Sequence, residues 1–187
     1  MKYDQKVFLK DGRELLLRSG TFEDGPAVYD VFQKTHAETD YLLSYPDEST
    51  FTPEQECGFL KNQEESSYSA EILAFLDGEI VGCAGINPIG EKDKVKHRAE
   101  LGISVLKAFW GLGIGKALMT ACIQCAENAG FLQLELEAVA ENTRAVSMYE
   151  HFGFTEFGRN PLGFRSRQNG YQELVSMRLL LKDPSVY

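Results

Sequence analysis

The chain has 187 residues, with 19 Lys and Arg against 28 Asp and Glu, a formal net charge of −9. At roughly 100–200 residues per domain this is one domain, 1–187, and its 43% hydrophobic and 25% charged residues are enough to build a core without disulfides or metals. The acidic balance argues against nucleic acid and against an anionic membrane surface, and no apolar run reaches the roughly 18 residues of a membrane span.

Val7 to Leu9 and Glu14 to Arg18 read as a hairpin turned at Asp11-Gly12, a pair that accepts positive φ. Thr21 is placed to cap a helix from about Phe22, with Glu23 and Asp24 in its first turn and Val28, Val31, Phe32 and Thr35 on its inner face. Residues 37–52 hold no sustained period and read as a loop. Thr52-Pro53 opens a second helix, whose apolar positions include Phe59 and Leu60. Ser69 to Leu76 and Glu79 to Ile89 are strands joined at Asp77-Gly78, and Ala99 to Leu106 is a third after a charged turn. From Ile114 the period lengthens to that of a helix: Ile114, Ala117, Leu118, Ala121, Cys122, Cys125 and Ala129 make one stripe, ended by Gly130. Phe131 to Val139 is a strand, Asn142 caps a short helix through His151, Phe152 to Phe154 turns into another strand, and Tyr171 to Leu181 closes the sheet. The order β β α α β β β α β α β β, with a βαβ crossover at 99–139, predicts a mixed α/β sheet with helices on both faces.

The stretch with most chemical content is Trp110-Gly111-Leu112-Gly113-Ile114-Gly115-Lys116, which follows a strand and opens a helix. Glycine permits close backbone approach, and a helix start presents free N–H groups with partial positive charge, so the combination favours phosphate. A Walker loop needs Gly-x4-Gly-Lys-Ser/Thr; here Gly111 and Gly115 are one residue too close and Ala117 replaces the hydroxyl. The dinucleotide fingerprint G-x-G-x-x-G fails on spacing too. A tight strand-to-helix turn with no ligand stays open on the glycines alone.

With its neighbours added, the segment resembles the acetyl-CoA motif of the GNAT superfamily of N-acetyltransferases, V-x4-[Arg/Gln]-G-x-G-x-[Gly/Ala], carried here by Val105, Gly111, Gly113 and Gly115. Asn142-Thr-Arg-Ala145-Val-Ser-Met-Tyr149-Glu-His-Phe152-Gly153-Phe154 resembles the family's second segment, and Gly170-Tyr171 through Met177 its closing strand. Trp110 departs from the family's usual Arg or Gln. The resemblance implies a GNAT-like, mostly antiparallel twisted sheet of about seven strands around a central βαβ unit. It implies that Ile103, Ser104 and Val105 bind the pantetheine arm and acetyl carbonyl through backbone, and that the N–H groups of Trp110, Gly111, Leu112, Gly113, Ile114, Gly115 and Lys116 take the pyrophosphate. Asn142 and Ala145 would contact the cofactor, and Tyr149 would donate to the departing sulfur. On its own, Tyr149 reads as a core aromatic beside Val146, Met148 and Phe152.

Glu100 is the base candidate, on the strand that lines the family's substrate cleft; alternation puts it with Gly102 and Ser104 on one face, and a structural pair with Arg98 is the alternative. Cys122 and Cys125 form C-x-x-C, but both fall in the helical stripe and read as core, with no second ligand pair for a metal. His36, His97 and His151 stand alone, and Arg159, Arg165 and Arg167 read as a solvated hairpin end, although the resemblance implies that this connection borders the acceptor site. The four cysteines are too few for a disulfide framework, and Met1 to Lys10 lacks a signal-peptide core, so the expected setting is cytoplasmic. The expected activity is acetyl transfer from acetyl-CoA to a primary amine, on a small molecule or a protein, by direct attack and without a metal. The alternative is a non-catalytic acyl-CoA sensor on the same fold. A homodimer is left open. Selectivity is expected in loop 37–52, with Tyr41, Tyr45, Asp47 and Glu48; its acidic residues lean towards a cationic acceptor, and a merely solvated acidic loop is the alternative.

Overall fold

A computed structural model describes residues 1–49 and 51–182. Thr50, inside the loop expected at 37–52, lies outside the described residues. The elements run β1 (Asp4–Phe8), β2 (Glu14–Ser19), α1 (Gly25–Glu38), α2 (Pro53–Glu65), β3 (Ala70–Leu76), β4 (Glu79–Pro88), β5 (Arg98–Val105), α3 (Ile114–Asn128), β6 (Gln133–Val139), α4 (Thr143–His151), β7 (Thr155–Ser166) and β8 (Gly170–Leu180). This is the element order the sequence predicts.

Local chemistry accounts for most boundaries. The β1–β2 hairpin turns at Gly12, with φ +86°, and the β3–β4 hairpin at Asp77 and Gly78, with φ +53° and +86°, the signs a two-residue turn of this hand needs. At Thr21 the backbone N–H donates to the Asp24 carboxylate at 2.8 Å; a 3-10 turn over Phe22–Asp24 precedes α1. Thr52 caps α2 by accepting from Gln55 N–H at 3.3 Å while Gln55 Oε1 accepts from Thr52 N–H at 2.9 Å, a reciprocal box.

Among the described residues the strands form one sheet of eight, ordered β1-β2-β3-β4-β5-β6-β8-β7. Eight strands agree with the predicted element order and with the expectation of about seven; β1 pairs with β2 along its whole length and forms an edge. The last strand does not close the sheet: β8 lies between β6 and β7, antiparallel to both, and β7 is the edge. All pairs are antiparallel except β5–β6, which the α3 crossover makes parallel.

The two faces differ. Helix α3 packs on β3, β4 and β5 and buries the main core, with Ile72, Ile86, Leu118, Met119 and Leu134 almost wholly enclosed. Cys122 and Cys125 are buried in it, and burial pushes both thiols up, away from reactivity. Helices α1 and α2 cover the other face chiefly over β3 and β4, around Val28, Val31, Leu60 and Leu73. Over β5, β6 and β8 that face is open.

Candidate active site

The functional geometry begins where two strands part. β5 and β6 pair only at Arg98 with Gln133, Ala99 with Leu134 and Glu100 with Glu135, although β5 runs on to Val105 and β6 to Val139. Beyond those pairs each strand turns an edge without a ladder partner towards the gap. Backbone groups there are free to bond an extended ligand as a neighbouring strand would. A cavity of about 1080 Å³ fills the opening, lined among others by Glu100, Gly102, Ile103, Ser104, Val105, Ala138 and Tyr149.

At the end of β5 the cavity reaches the glycine loop. Gly111 and Gly113 have φ of +88° and +101°, values that L side chains rarely adopt. Gly115 is helical, and a Cβ there would make only ordinary contact with Met148 Sδ at 3.4 Å, so an alanine would fit as well. The first N–H of α3 with a backbone partner is that of Ala117, to Gly113 O at 3.0 Å. The preceding N–H groups are the unpaired donors of a helix start. Trp110 is different from the expected donors, since its backbone N–H already bonds Lys107 O at 3.2 Å. Its indole N–H donates to Val105 O at 2.7 Å, and the Arg144 guanidinium lies 5.0 Å from its ring centroid. The indole therefore pins the loop where a charged or amide side chain was expected. Leu112 is not among the lining residues and packs on the main core. Gly111, Gly113, Ile114, Gly115, Lys116, Asn142 and Ala145 all line the cavity.

Charge is sorted along this cavity. Lys10, Lys116 and Arg144 line it towards the glycine loop, with Lys10 brought there by the β1–β2 turn. Free helix donors, unpaired strand edges and three cations together fit a ligand with a polyphosphate end and an amide-bearing arm, as acetyl-CoA has. Among the described residues no group of three His, Cys, Asp or Glu is placed to hold a metal ion.

Tyr149 lies on α4, 7% exposed, with its ring 6.0 Å from that of Phe154. It is both a core aromatic and a lining residue, and burial pushes its phenol up to about 12. Asn142 accepts from Ala145 N–H at 3.3 Å and thereby caps α4, the first role the sequence gives it. His151, isolated in sequence, also reaches the lining.

On the open face, Glu100 is exposed to the cavity. Its expected alternative, a pair with Arg98, is not formed: Arg98 instead holds Glu135 through two bonds of 2.5 and 2.7 Å, which keep that carboxyl below its ordinary range. Glu135 and Glu137 project beside Glu100, and Ser176 Oγ donates to Glu137 at 3.1 Å. Sequence reasoning missed both, because only the β5–β6 register brings them next to Glu100. Phe157 and Phe164 of β7 and Tyr41, Leu42 and Leu43 of the α1–α2 segment supply apolar walls.

That segment is not a plain loop. Asp40 accepts from Tyr45 Oη at 2.7 Å, from Asn169 Nδ2 at 2.9 Å and from Ser166 Oγ. Arg167 donates to Asp47 at 2.7 Å and to Glu48 at 3.3 Å, and its guanidinium lies 4.1 Å from the Tyr45 ring centroid. The acidic residues expected to favour a cationic acceptor are thus spent on the β7–β8 turn, and neither lines the cavity. The segment's wall residues are Thr39 and the apolar Tyr41, Leu42 and Leu43.

A parted parallel pair above a glycine-rich helix start has the geometry that suits an extended, phosphate-bearing ligand. The chain belongs to the acetyltransferase (GNAT) family, whose family model matches residues 26–154. It is similar to YjgM of Escherichia coli (strain K12), an uncharacterized N-acetyltransferase, with 26% identity over 140 residues, 74% of this chain and 81% of that one. Among solved structures, a GNAT-family acetyltransferase from Streptococcus pneumoniae superposes with a TM-score of 0.85 and 28% identity over 89% of this chain and 99% of that one. The fold also matches yncA of Salmonella typhimurium, solved with its cofactor acetyl-CoA, at a TM-score of 0.79 and 17% identity over 90% and 95% of the chains.

Proposed function

We propose that this protein moves an acetyl group from acetyl-CoA to a primary amine by direct attack in a ternary complex. The observation that carries the reading is the parting of β5 and β6 directly above the glycine loop. Gly111 to Lys116 hold the pyrophosphate through backbone N–H groups, aided by Lys10, Lys116 and Arg144. Ile103 to Val105 and the facing edge of β6 bond the pantetheine amides. The bound thioester supplies an activated acetyl carbon.

The acceptor nitrogen must be neutral to attack, and a free amine has a pKa of about 10.4. Glu100 faces the open side without an ion-pair partner among the described residues and takes the amine's proton, directly or through one water. The nitrogen forms the new N–C bond as the C–S bond breaks. The sulfur leaves with the bonding electrons, stabilised by the Tyr149 hydroxyl, and becomes the thiol by taking, through water, the second proton that the nitrogen sheds as it becomes an amide. N-acetylamine and CoA are the products, and the proton Glu100 gained returns to solvent. A broad screen of amines, following the free thiol of CoA alongside calorimetric titration of acetyl-CoA, tests this. Thiol release with stoichiometric acetylamine supports transfer. Tight acetyl-CoA binding with no turnover on any amine identifies a sensor instead.

A further inference from the structure

The acceptor end of the cavity carries a charge pattern that the acetyl-transfer reading does not require. Its carboxylates are Glu100, Glu135 and Glu137, on the open face of β5 and β6. Among the described residues its lining cation away from the glycine loop is Arg98, which Glu135 occupies with a bidentate pair, and Arg178 of β8 stands opposite Glu135 with its guanidinium 5.7 Å from the Phe157 ring centroid. Glu100 and Glu137 have no cationic partner among the described residues, and both are exposed. Glu100, Glu135 and Glu137 outnumber Arg98 and Arg178, so an acceptor carboxylate would enter a net negative site and meet two carboxylates without an ion-pair partner. An ammonium group would meet them with its preferred sign.

Shape narrows the class further. Glu137 lies two residues beyond Glu135 along β6, about 7 Å of strand, so Glu100 and Glu137 are set apart along the cavity and have room to hold two separate cations. Tyr41 to Leu43, Phe157 and Phe164 give the space between them apolar walls. The segment bearing Tyr41 to Leu43 is clasped at both ends to the β7–β8 turn, through Asp40, Tyr45 and Asp47. A clasped wall suits a small molecule better than a folded protein's chain.

We propose that the acceptor is a small diamine or polyamine: two amines joined by an apolar chain, with no carboxylate. This rests on the acetyl-transfer reading. One amine, deprotonated beside Glu100, reacts; the other stays as an ammonium ion on Glu137, with the methylenes against the aromatic walls.

An isosteric series tests it on the full-length protein with saturating acetyl-CoA: 1,4-diaminobutane and spermidine, n-butylamine, which lacks the second charge, and 4-aminobutanoate, which reverses it. Thiol release gives kcat/KM for each. The expected order is diamine or polyamine above butylamine by at least about fivefold, and butylamine above 4-aminobutanoate by at least about tenfold. Glu137→Gln should bring the diamine-to-butylamine ratio close to one, a readout that a general loss of folding or of acetyl transfer does not produce. Butylamine or 4-aminobutanoate turned over as well as the diamines overturns the substrate class and leaves acetyl transfer standing. So does an unchanged ratio in Glu137→Gln. No turnover across the series also overturns it, and the broad amine screen then decides separately whether the acetyl-transfer reading falls.

Discussion

Tyr149 is the residue at which packing and chemistry meet. Burial lifts its phenol to about 12, well above the value near 8.5 of a leaving thiol. A group that holds its proton this tightly does not hand it to such a thiolate; it stabilises the sulfur by hydrogen bonding while charge develops. Tyr149→Phe keeps the ring against Phe154 and so should leave acetyl-CoA affinity within a few-fold. Steady-state kcat should fall by roughly 10²–10³, the usual loss for one donor at a developing charge. Undiminished kcat would return Tyr149 to the role of a core aromatic. At Gly113 the φ of +101° leaves a β-branched side chain no comfortable conformation, and a Cβ there meets nothing within 4 Å, which is the space a phosphate would use. Gly113→Val should therefore weaken acetyl-CoA binding far more than Trp110→Arg, where the indole tie to Val105 is lost but the glycine donors remain; calorimetric titration of both compares them. Residues of this kind were legible in the sequence because their roles follow from short spacings: a cap at Asn142, one helix turn from Ala145 to Tyr149, glycines at a helix start. Glu135 and Glu137 were not, since alternation along β6 says which residues share a face but not which strand lies beside it.

At the scale of elements, the sequence places every strand and helix in order, and its misreadings are all of pairing. The position of β8 between β6 and β7 depends on which edges meet after the chain turns at residues 167–169, and no local pattern records that. The parting of β5 from β6 is likewise invisible, because Ile103 to Val105 read as ordinary strand. The segment between α1 and α2 shows the same limit. Its acids looked available for a ligand, whereas hydrogen bonds from Ser166, Tyr45 and Asn169 hold the Asp40 carboxyl below its ordinary range and Arg167 does so for Asp47. These contacts are exposed, so they add little to global stability; their effect is to hold the Tyr41 to Leu43 wall. Arg167→Ala should change the melting temperature by no more than about 2 °C. Amide exchange over residues 39–49 should quicken, and KM for the acceptor should rise by about threefold to tenfold with KM for acetyl-CoA unchanged. An acceptor KM that stays constant would mean the wall holds its place without the clasp.

For the whole molecule, the division of the sheet into a dry α3 face and a partly open α1–α2 face leaves one carboxyl in an awkward place. Glu71 stands on β3 opposite Gly85, and its Oε2 occupies the space a Cβ at Gly85 would need. The sequence shows a lone acid in an apolar strand; only the register with a glycine explains how it is housed. Enclosure there lifts the carboxyl from an ordinary 4.5 to about 8, helped by Glu56 from α2, while Cys83 on β4 pulls the other way by hydrogen bonding. A carboxyl whose folded pKa lies above its unfolded value favours the fold fully below the unfolded pKa, and that contribution is lost as pH rises through the folded one. The window here is therefore pH 4.5 to 8, with the native state losing ground to the alkaline side. Glu56, whose own carboxyl is raised by burial, acts with the same sign. Glu71→Gln removes the charge and keeps the shape, so its melting temperature should lie close to that of the natural protein near pH 5 and exceed it by several degrees at pH 8, since a carboxyl raised from 4.5 to about 8 costs on the order of 4 kcal/mol there. Thermal melts of both proteins at the two pH values make the comparison. A gap of the same size at pH 5 and pH 8 would mean that the Glu71 carboxyl titrates as it does in the unfolded chain.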